Sequence, residues 1–296
     1  MSRVLVTGGS GQLGQSLAFL SQTHPQPGVS WTFLDRKDLD LSLTASLASQ
    51  LEGLLSQAAQ SPLGAYTHLI HAAAFTGVDA AETQENLAFT VNEKATELIA
   101  KACAAHGICL VYLSTDFVFS GPRNTPLRPS DPIAPQGVYA RSKAAGEAAV
   151  AAHCPTHYTV RTSWLYSPFG HNFVKTMLRL AKAHAEVKVV SDQIGSPTSA
   201  LDLAVALRTL LFQAQLPFGR HHFSNRGATS WAGFAREIFN QQRLKTQVQE
   251  IDTASFGAPA PRPTFSVLEN SLSFYQRDWK VALSEVLEHI NKQNKP

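Results

Sequence analysis

A chain of 296 residues that is 44% hydrophobic and 16% charged has the balance of a packed protein rather than a disordered one, with room for one large or two unequal units. Its net charge of +3 comes from scattered Lys and Arg, which gives nucleic-acid binding little support and tolerates a polyanionic small ligand. No apolar stretch approaches the roughly 20 residues of a membrane span, and a strand-like run beginning at Val4 leaves no space for a signal peptide, so a soluble cytoplasmic protein without a membrane partner is expected.

Apolar bursts alternate with helical stretches through the first half. Val4 to Val6 reads as a buried strand, followed by a helix from about Gly11 to Ser21. Trp31 to Leu34, His68 to Ile70, Ile108 to Leu113 and Tyr158 to Arg161 are further strands, separated by helices over Leu43 to Ala59, Glu85 to Ala105 and Tyr139 to Ala152. This alternation predicts βαβ units and a parallel sheet. Between Phe119 and Pro135 the prolines at 122, 126, 129, 132 and 135 predict a long surface loop near the site.

The second half is more mixed. Helices are expected over Asn172 to Ala183, Ala200 to Phe212, Ser230 to about Asn240 and Val281 to Asn291, with a strand-like run from His221 to Ser224. Ser199 with Asp202 resembles a capping box. The three prolines between Phe256 and Pro263 predict irregular chain. The fold class expected is α/β: a doubly wound Rossmann sheet over residues 1–167, rejoined by segments at about 188–225, and a smaller mixed α/β substrate-binding domain over 168–296. Cys103, Cys109 and Cys154 are odd in number and form no CxxC pair, so they are read as reduced thiols.

The run Thr7-Gly8-Gly9-Ser10-Gly11-Gln12-Leu13-Gly14 follows the first strand directly. Gly8 permits a tight turn, Gly11 lets the backbone approach a pyrophosphate, and Gly14 packs the helix against the sheet. A helix starting here turns free N–H groups and its positive dipole end toward phosphate. Asp35 ends the next strand, where an acid holds the adenosine ribose. Asp35 favours NADH and the neighbouring Arg36 favours NADPH, and the choice stays open. Asp40 and Leu41 either flank the adenine or form an ordinary loop.

Tyr139 and Lys143 form a YxxxK pair with i, i+4 spacing, which places them on one helix face. A free phenol has a pKa of roughly 10, and a nearby ammonium and an oxidised nicotinamide bring it within reach of neutral proton exchange. Ser114-Thr115-Asp116 follows the fourth strand, at the carboxyl edge where open parallel sheets bind ligands. Thr115 can donate to a carbonyl oxygen that gains charge, and Asp116 can contact a sugar hydroxyl. A cap or turn is the bland alternative.

With these residues in place, the chain resembles the dTDP-4-dehydrorhamnose reductase family of extended short-chain dehydrogenases/reductases. The runs TGGSGQLGQSL, AAAFTGVDAAE, STDFVFSG, VYARSKAAGE, RTSWLYSPFGHNF, DQIGSPT and RPTFSVL carry the resemblance in order. It implies Tyr139 as proton donor, Lys143 as its partner and Thr115 as carbonyl ligand. It implies that Gly11, Gln12, Leu13, Asp35, Asp40, Leu41 and the strand end Ala72-Ala73-Ala74 line NADPH or NADH. Val78, Asp116 and Trp164 would face a nucleotide sugar, although composition alone makes Trp164 core. A homodimer is the expected assembly. His71 stands where the family has Asn and is expected to be a buried neutral ring. Phe75 and Phe117 replace hydrogen-bonding rings near the sugar. Gln15-Ser16 lacks a carboxylate near the third glycine, so no metal site is expected, and His221 and His222 receive no role. Two alternatives stay open: another sugar-nucleotide reductase or epimerase of the superfamily, and a non-catalytic subunit similar to the methionine adenosyltransferase beta subunit.

Overall fold

Val4, Leu5 and Val6 have no solvent exposure, as a strand covered on both faces requires. They lie in β1 (Ser2–Thr7) of a computed structural model that describes residues 1–121, 124–273 and 275–293. Five strands join it: β2 (Val29–Leu34), β3 (His68–His71), β4 (Cys109–Thr115), β5 (His157–Thr162) and β6 (Gly219–His222). All pair parallel, in the order β6-β5-β4-β3-β1-β2. The chain therefore walks outward to β2 on one side of β1 and through β3 to β6 on the other. The reversal between β1 and β3 opens a crevice at the carboxyl ends of the strands.

Period-two alternation feeds two cores. Leu5, Leu69 and Leu110 pack with Leu47, Leu51 and Leu55 of α2 (Thr44–Gln60) and Ile99 and Cys103 of α3 (Ala95–Ala105). Val4, Val6, Val111 and Val160 face the opposite way, onto Leu13 and Leu17 of α1 (Gln12–Thr23) and Leu203, Leu207 and Leu210 of a helix spanning Ala200–Phe212. Each such buried Leu contributes about 1.5–3 kcal/mol relative to exposure. A third core gathers Val174 and Met177 of the helix Phe173–Ala183, Phe234 and Ile238 of the helix Trp231–Gln241, and Leu283 and Val286 of the helix Trp279–Gln293. The parallel strands Glu186–Val190 and Gln247–Ile251 border it.

Two expectations need adjustment. The helix predicted over 85–105 is interrupted at Thr90–Lys94 by a π-helical turn. Buried Asn92 sits in that turn; its Oδ1 accepts from Phe75 N (2.8 Å), and its Nδ2 donates to Phe75 O (3.1 Å) and Ser142 Oγ (3.0 Å). Ser199 occupies an N-cap position, but its side chain makes no capping bond. Its presumed capping partner, Asp202, is drawn instead to Arg277 and Asn225. A buried charge is satisfied better by a guanidinium than by one backbone amide. The proline-rich loop runs over the surface as expected and is tied down at particular points. Phe119 and Leu127 are buried with Val118 and Leu268, and Leu127 N donates to Val267 O at 2.8 Å. Pro122 lies outside the described residues. Ser230 does cap its helix, accepting from Gly233 N at 3.0 Å. Among the described residues, no helix is long and apolar enough to cross a membrane.

Candidate active site

The glycine turn closes with Gly11 N donating to Gly8 O at 3.0 Å and Gly9 N donating to Leu34 O at 2.8 Å. Gly8 has φ +75°, and a Cβ there would lie 2.7 Å from Ala73 N, so the turn presses on the Ala72-Ala73-Ala74 end of β3. A Cβ on Gly14 would collide with the Gly8 carbonyl and lie 2.6 Å from Gly9 Cα. Gly11 at the N-cap of α1 brings no side chain to the first turn, whose N–H groups stay free for an anion at the helix start. The Gln12 side chain leaves the turn: its Oε1 accepts from Ser167 Oγ and Asn172 Nδ2, each at 3.1 Å. Asn172 also caps the helix Phe173–Ala183. One residue thus fastens the cradle to the loop that follows β5, a link that no local pattern announces.

At the end of β2, Asp35 Oδ1 accepts from Lys37 N at 3.0 Å. Arg36 Nε pairs with Asp40 Oδ2 at 3.2 Å, and Asp40 Oδ1 accepts from Ser42 N at 2.9 Å. Leu41 is buried beneath them. His71, at the end of β3, meets its expectation. Its ring lies between Thr7 Oγ1 (2.7 Å) and Thr96 Oγ1 (3.1 Å), and burial lowers its pKa to about 3, which keeps it neutral.

The other end of the crevice is built on β4 and on α4 (Gly137–His153). Thr115 Oγ1 accepts from Phe117 N at 3.2 Å and donates to Asp116 Oδ1 at 3.0 Å. Asp116 is buried; desolvation raises its pKa to about 6, while the hydroxyls of Ser266 and Thr115 pull the other way. Tyr139 and Lys143 occupy successive turns of α4, and the Phe117 ring stands edge-on to Tyr139 with centroids 5.6 Å apart. Lys143 Nζ donates to Leu113 O at 2.7 Å and lies 4.1 Å from the Tyr112 ring centroid. Burial lowers its pKa to about 7, partly offset by the charge of Glu147. That carboxylate is held by Arg161 at 2.6 and 2.8 Å and by Ser114 Oγ at 2.5 Å. Burial pushes Tyr139 up to about 12, with the Asp116 charge adding to it and Thr115 opposing. Desolvation dominates the phenol here, and the Lys143 ammonium is directed at the Leu113 carbonyl; the expected lowering also calls on a positively charged nicotinamide.

The two ends belong to one cleft of about 1020 Å³. Gly8, Gly11, Gln12, Leu13, Gly14, Asp35, Arg36, Asp40, Leu41 and Ala72 to Ala74 line it at one end. Thr115, Asp116, Tyr139, Lys143, Val78 and Trp164 line it at the other. Every residue given a catalytic, cofactor or substrate role in the sequence analysis therefore lines this one cavity. Trp164 is not plain core: it takes φ +47°, borders the cleft, and stacks on Trp231. Trp231, Phe173, His171 and Arg262 border it too and were not singled out. Trp231 follows the Ser230 cap signal, which located a helix start but not the direction of the ring. Arg262 lies in the proline-rich segment and pairs with Asp79 at 2.8 Å. Phe75 and Phe117 also border the cleft. Among the described residues, no group of three or more His, Cys, Asp or Glu side chains is placed to hold a metal ion.

The cradle suits a dinucleotide: side chains are excluded where a pyrophosphate must approach, and an acid waits at the end of β2. Joined to a tyrosine–lysine helix across a Rossmann crevice, it defines an NAD(P)-dependent oxidoreductase of the extended short-chain dehydrogenase/reductase class. The family described as "RmlD substrate binding domain" matches residues 2–292. The dTDP-4-dehydrorhamnose reductase of Mycobacterium tuberculosis is 39% identical over 295 residues, covering 97% of this chain and 89% of the relative. That of Sinorhizobium fredii is 38% identical over 276 residues, covering 90% and 88%. The crystal structure of the Bacillus anthracis dTDP-4-dehydrorhamnose reductase in complex with NADP superposes with a TM-score of 0.88 at 37% identity, covering 97% of this chain and 99% of that one. The chain belongs to the dTDP-4-dehydrorhamnose reductase family.

Proposed function

We propose that this protein reduces the C4 ketone of a dTDP-4-dehydro-6-deoxy-L-hexose to the alcohol, giving a dTDP-6-deoxy-L-hexose such as dTDP-L-rhamnose. The observation that carries this reading is the shared cleft, with the glycine cradle at one end and Thr115, Tyr139 and Lys143 at the other, in a chain so similar to reductases of that substrate.

NADPH or NADH, held by the Gly8–Gly14 cradle and by the Asp35, Arg36, Asp40 and Leu41 corner, would supply the hydride. Tyr139 delivers a proton to the ketone oxygen as that oxygen becomes an alkoxide. An alkoxide is far more basic than a phenolate, so a phenol near 12 still donates downhill. Thr115 offers a second hydrogen bond to the same oxygen. Lys143, on the turn after Tyr139, supplies a positive charge to the phenolate left behind once its ammonium turns from the Leu113 carbonyl. Val78, Asp116 and Trp164 orient the sugar.

We assign residues 1–167, with the helix Ala200–Phe212 and β6, to the cofactor-binding unit, and most of the remainder to the substrate-binding unit. Homodimeric assembly and a cytoplasmic location complete the proposal; the free thiols of Cys103, Cys109 and Cys154 suit a reducing compartment. The test mixes protein, NADPH or NADH, and dTDP-4-dehydro-6-deoxy-L-hexose while nicotinamide absorbance is followed. Substrate-dependent oxidation is expected, and its absence with both cofactors would remove the reading.

A further inference from the structure

Thr115 has one hydroxyl hydrogen, and in this structure it is already committed. The hydroxyl donates to Asp116 Oδ1 at 3.0 Å and accepts from Phe117 N at 3.2 Å. A hydroxyl so engaged cannot also donate to a ketone. A hydrogen bond to an ionised carboxylate is stronger than one to a neutral carbonyl, so a ketone alone competes poorly for that hydrogen. The carboxylate is itself incompletely satisfied. Asp116 is 2% exposed and borders the cleft, and its Oδ2 is buried with no hydrogen-bond partner. Ser266 stands near enough to favour the charged form yet leaves that oxygen open. A buried carboxylate oxygen without a donor is costly, and a ligand hydroxyl is the group that relieves it.

We propose that Asp116 withholds the Thr115 hydroxyl hydrogen from the ketone until a substrate hydroxyl occupies the Asp116 carboxylate. A hydroxyl on the ring carbon next to the ketone is the one within reach, because Thr115 Oγ1 and Asp116 Oδ1 lie 3.0 Å apart. Once it donates to the carboxylate, the pull on Thr115 weakens and its hydrogen turns to the ketone oxygen. No bond is made or broken in this exchange; one hydrogen bond replaces another. Asp116 is then a positioning residue that makes turnover depend on a hydroxyl beside the reacting carbon, which is a selection in kcat rather than in binding alone. The inference rests on the reductase reading above.

The test compares the keto-sugar nucleotide with its analogue lacking the hydroxyl next to the ketone, in wild type, Asp116→Ala and Asp116→Asn. In wild type the deoxy analogue loses about 10²-fold in kcat, the scale of one missing oxyanion donor. In Asp116→Ala Thr115 is released, so kcat on the deoxy analogue rises at least fivefold above wild type while KM for the full substrate increases. Asp116→Asn preserves shape with a weaker acceptor and gives a smaller rise of at least twofold, which keeps the question answerable if the alanine variant does not fold. Variants no faster than wild type on the deoxy analogue, with only KM changed on the full substrate, would overturn the inference and leave the reductase reading standing. Wild type that turns over neither sugar would overturn both.

Discussion

Trp164 and Trp231 lie face to face, with ring centroids 3.6 Å apart and planes within 6° of parallel. Trp164 holds this pose at φ +47°, in a region most side chains avoid. The stack is backed by Gly195, where a Cβ would lie 2.5 Å from Trp164 Cε2. Gly195→Ala must therefore push the ring toward the cleft. We expect KM for the nucleotide sugar to rise about tenfold, the value of a displaced aromatic contact, while NADPH affinity by thermal shift stays within about twofold. An unchanged KM would show that Trp164 does not border the sugar.

Tyr139→Phe removes the hydroxyl and keeps the ring against Phe117. The turnover number is expected to fall about 10²–10⁴-fold, the usual contribution of one positioned proton donor. NADPH should still raise the thermal midpoint as in wild type, because native-state ligand binding is unaffected. Turnover within a few-fold of wild type would assign the proton to another group.

Lys143 gives a pH signature in the cofactor-free protein. Its pKa is lowered from 10.5 to about 7 by burial. Between those values the unfolded chain binds the proton that the folded chain has released, so the penalty of burying this ammonium, present in full below the window, is relieved and stability rises as pH increases across it. Lys143→Met should abolish that rise, lift the thermal midpoint near pH 7, and lower turnover at least 10²-fold. A parallel rise between pH 7 and 10 in both proteins would show that Lys143 is not the titrating group.

The two helix-proximal glycines should separate in a simple experiment. Gly14→Ala drives a methyl into the Gly8 carbonyl and Gly9, backbone that cannot yield cheaply, whereas a Cβ on Gly11 meets only Gly8 O at 3.2 Å. Overpacking of this kind costs about 1–3 kcal/mol. Gly14→Ala is expected to lower the denaturation midpoint and cofactor affinity together. Gly11→Ala should fold normally and lose affinity only where it crowds the pyrophosphate.

What the sequence discloses here follows from the range of the interaction. The cradle, the Tyr139–Lys143 face and the strand ends are local patterns with fixed spacing, and all of them reach one cleft. His71 was legible as neutral because a ring at the inner end of a buried strand has nowhere to keep a charge. Gln12 with Asn172, Trp164 with Trp231, and Asp202 with Arg277 join residues 160, 67 and 75 positions apart. No periodicity links such pairs; tertiary packing selects them. Tertiary packing also overrode the Ser199 capping signal and opened the π turn at Thr90–Lys94.

Arg36 is expected to set the preference between NADPH and NADH. Its side chain is 79% exposed and tied only to Asp40 at 3.2 Å, an exposed pair of small net value that an incoming dianion can replace. Asp35, which would repel a 2′-phosphate, has Oδ1 occupied by Lys37 N and Oδ2 3.5 Å from Lys37 Nζ. The corner thus offers an exposed guanidinium and a partly neutralised acid, an arrangement expected to suit NADPH better than NADH. Arg36→Ala should weaken NADPH binding about tenfold, the lower end for a charged hydrogen bond, and leave NADH unchanged. Nicotinamide fluorescence titration at low and high salt reads both constants, and the loss should shrink as salt screens the exposed charge. Equal weakening for both cofactors would instead place Arg36 on the pyrophosphate or the adenine.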